Sequence, residues 1–105
     1  MTFEEISRTV CDILSRSGFN KEASEISSMV LMISTLEKND KKRLSAINDL
    51  ISRSHVKWLG DYYISDLSYK EWTDLIYVFK GKLSSEKITH VGSWLITHIT
   101  GHLLL

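Results

Sequence analysis

The sequence predicts an all-α protein, and three observations support this prediction. The chain has 105 residues with no proline and only five glycines, so the strongest helix breakers are scarce. Apolar residues recur at steps of three and four along much of the chain, which places them on one face of a helix. Residues that cap helices precede several of these segments. A length of 105 residues also suits one domain over residues 1–105, since domains often contain roughly 100–150 residues.

The first helix is predicted over residues 3–17. Thr2 and Glu5 have capping-box spacing, in which the hydroxyl accepts from a backbone N–H of the first turn. Gly18 suits the end of the helix, where the backbone often turns left-handed. The apolar face contains Phe3, Ile6, Val10, Ile13 and Leu14.

Two further helices are predicted over residues 21–37 and 41–53. Asn20 and Asp40 precede them and are expected to cap their first turns. The apolar residues of the first of these helices are Ala23, Ile26, Met29, Val30, Ile33 and Leu36. Those of the second are Leu44, Ile47, Leu50 and Ile51.

The segment over residues 54–67 has neither helical nor strand periodicity. We expect a turn or short helix that packs through its aromatic residues. A helix is then predicted over residues 68–81, because Ser68 and Glu71 again have capping-box spacing. Its predicted buried face contains Tyr69, Trp72, Ile76 and Phe79. Gly81 is expected to end this helix.

A last helix is predicted after Ser85 and ends near Gly101. Its apolar face contains Ile88, Val91, Leu95 and Ile99. The expected fold is therefore one domain of five main helices. Because the connections are short, we expect an orthogonal or bundle-like array around one core.

Composition excludes several classes of function. Thirteen basic residues balance thirteen acidic ones, so no global positive field attracts nucleic acid or anionic lipid. The single cysteine, Cys11, cannot form an internal disulfide and is expected to be a buried, unreactive thiol. The N-terminal residues resemble no export signal, and the longest apolar run, residues 29–33, is far below the ~20 residues that cross a bilayer. We expect a cytoplasmic protein without membrane contact.

No pattern indicates catalysis. His98 and His102 lie four residues apart, but two histidines do not make a zinc site, so no metal is predicted. Ser84 and Lys87 have the spacing of a serine-lysine catalytic pair without its partner motifs. The glycines are isolated from one another, so no phosphate-binding loop is expected. The prediction is a protein that is not an enzyme and needs no cofactor or small-molecule substrate.

Charge is distributed unevenly, and this leaves two interpretations open. Residues 61–79 have a net charge of −3, which indicates either an interaction patch or an ordinary solvated face. Residues 38–60 have a net charge of +4. Their basic run, Lys38, Lys41, Lys42 and Arg43, makes a small nucleic-acid-binding transcriptional regulator the alternative hypothesis.

One segment resembles a known group of proteins. Residues 55–64 read HVKWLGDYYI and are followed by Glu71 and Trp72. Looser similarity covers residues 17–19 and 47–50. This pattern is similar to small bacterial immunity proteins of contact-dependent growth inhibition and related polymorphic toxin systems. The resemblance implies stoichiometric binding to the C-terminal domain of a cognate toxin, frequently a nuclease, rather than binding to nucleic acid.

A nuclease needs a basic cleft for its substrate, and an inhibitor can present carboxylates and aromatic residues to that cleft or beside it. The first partner-binding residues that we expect are Asp61, Tyr62, Tyr63 and Asp66. Secondary candidates are Asp74, Glu4 and Glu5. Trp58 and Trp72 are expected in the core, because tryptophan near a turn or at helical spacing usually packs inward.

Overall fold

The described part of the chain is all-α, as predicted. A computed structural model describes residues 1–55 and 57–103, with side chains described as far as residue 87. Its four helices are α1 (Phe3–Arg16), α2 (Asn20–Thr35), α3 (Lys41–Arg53) and α4 (Tyr69–Leu103), and a 3-10 turn spans Leu59–Asp61. Within these residues no helix is long and apolar enough to cross a membrane.

The ends of α1 follow the local sequence. The backbone N–H of Glu5 donates to the Thr2 hydroxyl at 3.1 Å, and that hydroxyl donates to the Glu5 carboxylate at 3.2 Å. At the other end Gly18 has a φ of 93°, a left-handed conformation that suits glycine. The backbone N–H of Phe19 then donates to the carbonyl of Leu14 at 2.8 Å, which closes the helix. Both terminal predictions are confirmed.

The predicted N-terminal cap of α3 is confirmed, whereas the predicted cap of α2 is wrong. The Asp40 carboxylate accepts from the backbone N–H of Lys42 at 2.8 Å. Asn20, in contrast, is the first residue of α2, and Phe19 precedes it without a side-chain cap. The Asn20 amide oxygen accepts from the Ser15 hydroxyl at 2.7 Å, so the contact with α1 replaces a bond to its own helix.

One core joins the helices. Helix α1 contacts α2 and α4, while α3 also contacts α2 and α4. The rings of Phe3 and Phe79 stack with centroids 6.5 Å apart and tie the start of α1 to α4. The largest fully buried side chains are Trp72, Phe79, Ile6, Leu14, Ile26, Ile47, Leu50, Leu83 and Val10. They come from all four helices, so burial of one shared apolar interior stabilises the whole array.

The prediction of five helices is wrong, because the two expected C-terminal helices are one. Gly81 lies inside α4 without a positive φ, and Ser85 does not begin a new helix. Leu83 is fully buried and continues the stripe of Trp72, Ile76 and Phe79 beyond the glycine. A glycine costs a helix only about 1 kcal/mol relative to alanine, and packing on both sides of it offsets this cost.

Two groups of predicted residues lie outside the part of the chain whose side chains are described. The first is the expected apolar face of the last helix, Ile88, Val91, Leu95 and Ile99. The second is the histidine pair, His98 and His102.

The continuity of α4 can be tested at Gly81. A Cβ added there meets no atom within 4 Å, so Gly81→Ala is expected to raise the free energy of unfolding by about 1 kcal/mol through its helix propensity. Gly18→Ala is the matched control. A Cβ has space there as well, but the positive φ makes the substitution destabilising. Urea denaturation of both variants measures the difference. A destabilised Gly81→Ala variant would indicate that the helix breaks at this residue.

Candidate protein-binding surface

The segment over residues 54–68, here named the α3–α4 loop and described at every position except residue 56, is fixed to α4 by a buried hydrogen bond. The indole N–H of Trp72 donates to the carbonyl of Leu59 at 2.6 Å, and the Trp72 side chain is 1% exposed. The carbonyl of His55 accepts from the backbone N–H groups of Trp58 and Gly60 at 2.9 Å and 3.1 Å. The prediction of a turn or short helix is confirmed here, but of the loop's own aromatic residues only Tyr62 stacks on another ring among the described residues, while Trp58 and Tyr63 are exposed. Trp72 lies in the core as predicted.

The same loop is also tied to the end of α1. The rings of Tyr62 and Phe19 stack with centroids 4.6 Å apart. Beyond them, the backbone N–H of Ser65 donates to the Ser17 hydroxyl at 3.3 Å. Since the loop is held from two sides, little backbone entropy is left to lose when a partner binds its outer face.

This fixed loop and the start of α4 expose large aromatic side chains. The exposed fractions are 60% for Trp58, 82% for Tyr63, 66% for Tyr69 and 78% for Tyr77. The predictions that Trp58 and Tyr69 are buried are therefore wrong. Tyr69 is the first residue of α4, so helical spacing from Trp72 does not bring it over the core, and Trp58 precedes a 3-10 turn that has no periodic buried face.

Two of these exposed aromatics, Tyr63 and Tyr69, line a cleft of about 250 Å³, here named the tyrosine cleft. Its aromatic lining residues are Tyr62, Tyr63, Tyr69 and Trp72. The rest of the lining is Asp61, Ile64, Leu67 and Ser68. The cleft thus combines a hydrophobic interior with phenol groups and one carboxylate at its surface.

Three of the seven predicted partner-binding residues meet in this cleft. Asp61 is exposed and forms no ion pair with any described residue. Tyr62 is half-buried, and burial, followed by the nearby charge of Glu22, raises the pKa of its phenol. Tyr63 is the most exposed of the large hydrophobic and aromatic residues described. The structure brings Asp61, Tyr62 and Tyr63 together as one surface.

Two predicted acidic residues are engaged within the protein. Asp66 lies 3.3 Å from the guanidinium of Arg16, and Asp74 accepts from the Lys70 ammonium at 2.7 Å. Both pairs are exposed, so each contributes little to stability. They still reduce the negative potential that the sequence indicated around residues 61–79. The surface is more aromatic and less acidic than the sequence indicated.

The secondary candidates Glu4 and Glu5 do not line the tyrosine cleft. Glu5 takes part in the cap of α1 through Thr2. Glu4 lines a different cleft between α1 and α2, together with Arg8, Cys11 and other residues. Of the seven predicted residues these two have no structural link to the aromatic surface.

Packing buries one residue of the basic run at the start of α3 and leaves its neighbours exposed. Arg43 is 4% exposed, and its Nε donates to the carbonyl of Ile33 at 2.8 Å. Its Nη2 lies 3.0 Å from the Glu86 carboxylate, which joins α3 to α4. Sequence reasoning missed this pair because the two residues are far apart in the chain. Arg43 therefore cannot contact phosphate as the nucleic-acid hypothesis requires, whereas Lys41 and Lys42 are exposed.

The other groups considered for chemistry have structural partners. The Cys11 sulfur accepts from the Ser27 hydroxyl at 3.4 Å, and burial raises the pKa of its thiol. The Lys87 ammonium, which a serine-lysine pair would require, instead donates to the Asn48 amide oxygen at 3.0 Å. In the described portion of the chain, no group of three or more histidine, cysteine, aspartate or glutamate side chains is arranged to hold a metal ion.

Comparison with known protein families, with curated proteins and with solved structures finds no match to this chain.

Proposed function

We propose that this protein is an immunity protein that acts in the cytoplasm. It binds the C-terminal domain of a cognate bacterial toxin, in a one-to-one complex, and blocks the toxin by covering it. The observation that carries this proposal is the α3–α4 loop, which is fixed from two sides and yet exposes Trp58 and Tyr63. A bundle-like array of helices would serve as the rigid support for this surface.

Exposed aromatic residues on a fixed backbone are suited to protein recognition. Tyrosine and tryptophan each bury a large area with few rotatable bonds, and they are enriched among the residues that dominate binding energy. An interface of standard size buries about 1,600 Å² in total, so the aromatic surface would form its centre with polar residues around it. Such binding requires no catalytic group.

A nuclease is the toxin activity that this surface suits best. A nuclease domain presents basic residues to its substrate, and Asp61 offers an exposed carboxylate among aromatic rings. Complementary charge speeds the encounter of two proteins, while the aromatic contacts slow their dissociation. The Asp66 and Asp74 pairs contribute less, since their charges are balanced by Arg16 and Lys70.

The proposal is tested first by gene order, since we expect the reading frame immediately upstream to encode the C-terminal domain of a large secreted toxin. Co-expression of this protein is expected to restore the growth of cells that produce the toxin domain, and the purified proteins are expected to form a one-to-one complex. Failure of both growth rescue and complex formation would overturn the proposal.

The aromatic surface is tested by single substitutions. Tyr63→Ala and Trp58→Ala are each expected to weaken toxin binding by about 30-fold, the factor that corresponds to the loss of a dominant interface residue, as measured by titration calorimetry. Both side chains are exposed, so helical content should not change. Leu31→Ala is the matched control, because Leu31 is 63% exposed but lies on α2 and lines another cleft. A larger loss in the control than in both test variants would place the interface elsewhere.

A further inference from the structure

The lining of the tyrosine cleft is chemically more specific than the surrounding surface. The occupant that we assign to it rests on the proposed function. We infer that the cleft receives one arginine side chain of the partner protein, with the guanidinium placed against the tyrosine rings and beside the Asp61 carboxylate.

The charges of the surface clefts distinguish this one from the others. We compare five clefts among the residues that the structure describes, and four of them are lined by at least one lysine or arginine. The tyrosine cleft contains Asp61 and no basic residue. The cleft lined by Glu4, Arg8 and Asp12 also has a net charge of −1, but Arg8 would compete there with an incoming cation. The tyrosine cleft is therefore the one among these five that offers a carboxylate without a competing basic residue.

Its size and lining indicate a single side chain. A volume of about 250 Å³ lies below the roughly 300–1,000 Å³ that is typical of small-molecule sites. Three tyrosine rings offer negative π faces, to which a guanidinium binds by cation–π contact and by stacking. A planar guanidinium can also donate two hydrogen bonds to one carboxylate, whereas an ammonium lacks this paired geometry. Arginine is thus favoured over lysine.

Ser68 and Tyr69, at the N-terminus of α4, line the cleft. The N-terminus is the positive end of the helix dipole, which would repel a cation if nothing compensated its charge. The capping box compensates it. The backbone N–H of Ser68 donates to the Glu71 carboxylate at 3.0 Å, and this bond is the main reason that the pKa of Glu71 is lowered. The neighbouring ammonium of Lys70 is bound to Asp74. The local field therefore does not exclude an incoming arginine.

Part of the lining is held in place before binding. The ring of Tyr62 is stacked on Phe19, and the indole of Trp72 is fixed to the carbonyl of Leu59. Only the exposed rings of Tyr63 and Tyr69 have to be ordered when an arginine enters. A preformed site of this kind loses little entropy on binding, which favours a defined contact.

The inference is tested first without the toxin, by a titration followed by NMR of the ¹⁵N-labelled protein. The probe is the peptide acetyl-Gly-Arg-Gly-amide, and the control peptide carries the neutral isostere citrulline in place of arginine. We expect weak, saturable binding of the arginine peptide, with the largest shifts at Tyr63, Ile64 and Tyr69. Equal binding of the citrulline peptide, or shifts centred on another cleft, would overturn the inference.

Two matched variants test the role of the carboxylate. Asp61→Asn is expected to weaken the binding of the arginine peptide by about threefold, because an exposed charge contact contributes modestly. Glu4→Gln removes a carboxylate that lines a different cleft and forms no ion pair with any described residue, and it should leave binding unchanged. Equal effects of the two variants would show that only the general negative potential matters, and would overturn the site.

The toxin complex separates this inference from the proposed function. If the toxin domain binds and Asp61→Asn weakens the complex by about 30-fold, both stand, since a contact buried in an interface contributes more than an exposed one. If the toxin domain binds with the same affinity to Asp61→Asn, the arginine site is wrong and the proposed function remains. If the arginine peptide binds at the cleft but the toxin domain does not bind, the proposed function fails and the site is supported.

Discussion

Replacement of Trp72 by alanine is expected to lower the free energy of unfolding by about 3–5 kcal/mol, the range for truncating a large buried aromatic residue. Trp72 is 1% exposed, so truncation leaves a cavity in the core. It also leaves the Leu59 carbonyl without its indole donor and releases the α3–α4 loop from α4. Urea denaturation followed by circular dichroism measures the loss, and the substitution should weaken toxin binding as well, because the loop supports the exposed aromatics.

Two further variants separate packing from hydrogen bonding. Trp72→Phe keeps most of the ring but removes the N–H group, and it is expected to cost about 1–3 kcal/mol for the unsatisfied carbonyl and the lost volume. Trp58→Ala is the control for tryptophan content, since Trp58 is largely exposed and its removal should change stability by about 0.5 kcal/mol or less. Similar losses for Trp72→Ala and Trp58→Ala would contradict the burial of Trp72.

Removal of the Glu86 carboxylate is expected to have the second large effect. Glu86→Ala leaves the Arg43 guanidinium buried without its counter-charge. The Nη1 atom of Arg43 has no hydrogen-bond partner among the described residues, so no other contact compensates for the lost carboxylate. Breaking a buried ion pair typically costs about 3–5 kcal/mol, and we expect about 3 kcal/mol because the Glu86 side chain is itself 35% exposed. Chemical denaturation measures the loss.

The exposed pair of Lys70 and Asp74 provides the control for this experiment. Asp74→Ala removes an ion pair of 2.7 Å whose side chains are largely exposed, so stability should change by about 0.5 kcal/mol or less. The double variant Arg43→Met with Glu86→Leu should recover most of the stability lost in Glu86→Ala, because it removes the buried charge together with its partner. A Glu86→Ala variant as stable as Asp74→Ala would rule out a structural role for the buried pair.

Much of the local structure follows from residues that are close in the sequence. The caps at Thr2, Asp40 and Ser68 are formed by side chains within three residues of the N–H groups that they accept from. Gly18 ends α1 because its positive φ needs no distant partner. Apolar residues at helical spacing likewise predicted most of the buried faces of α1, α2 and α3. Interactions within one turn of a helix can be predicted from the sequence without knowledge of the tertiary structure.

The candidate site was predicted in part, for a similar reason. Asp61, Tyr62 and Tyr63 are consecutive and begin the acidic stretch over residues 61–79, so the uneven charge and the adjacent tyrosines indicated them together as candidate partner-binding residues. Tyr69 was missed because periodicity assigned it to the core, although it lies at the first position of α4, where the helix extends past the buried interior. The pairing of Asp66 with Arg16 was also missed, since it joins two segments that are distant in the chain.

Helix type, most helix ends and the amphipathic faces were thus set by short-range chemistry in this chain. Long-range packing decided the length of α4 and which loop and charged side chains remain exposed. Burial of Leu83 beside Phe79 carries α4 through Gly81, where local propensity predicts an end. The fixed α3–α4 loop leaves Trp58 in solvent, and the attachment of Arg43 to Glu86 removes one cation from the basic run. Such outcomes depend on which surfaces meet in three dimensions, and the free energy of those contacts exceeds the small local preferences that a sequence pattern reports.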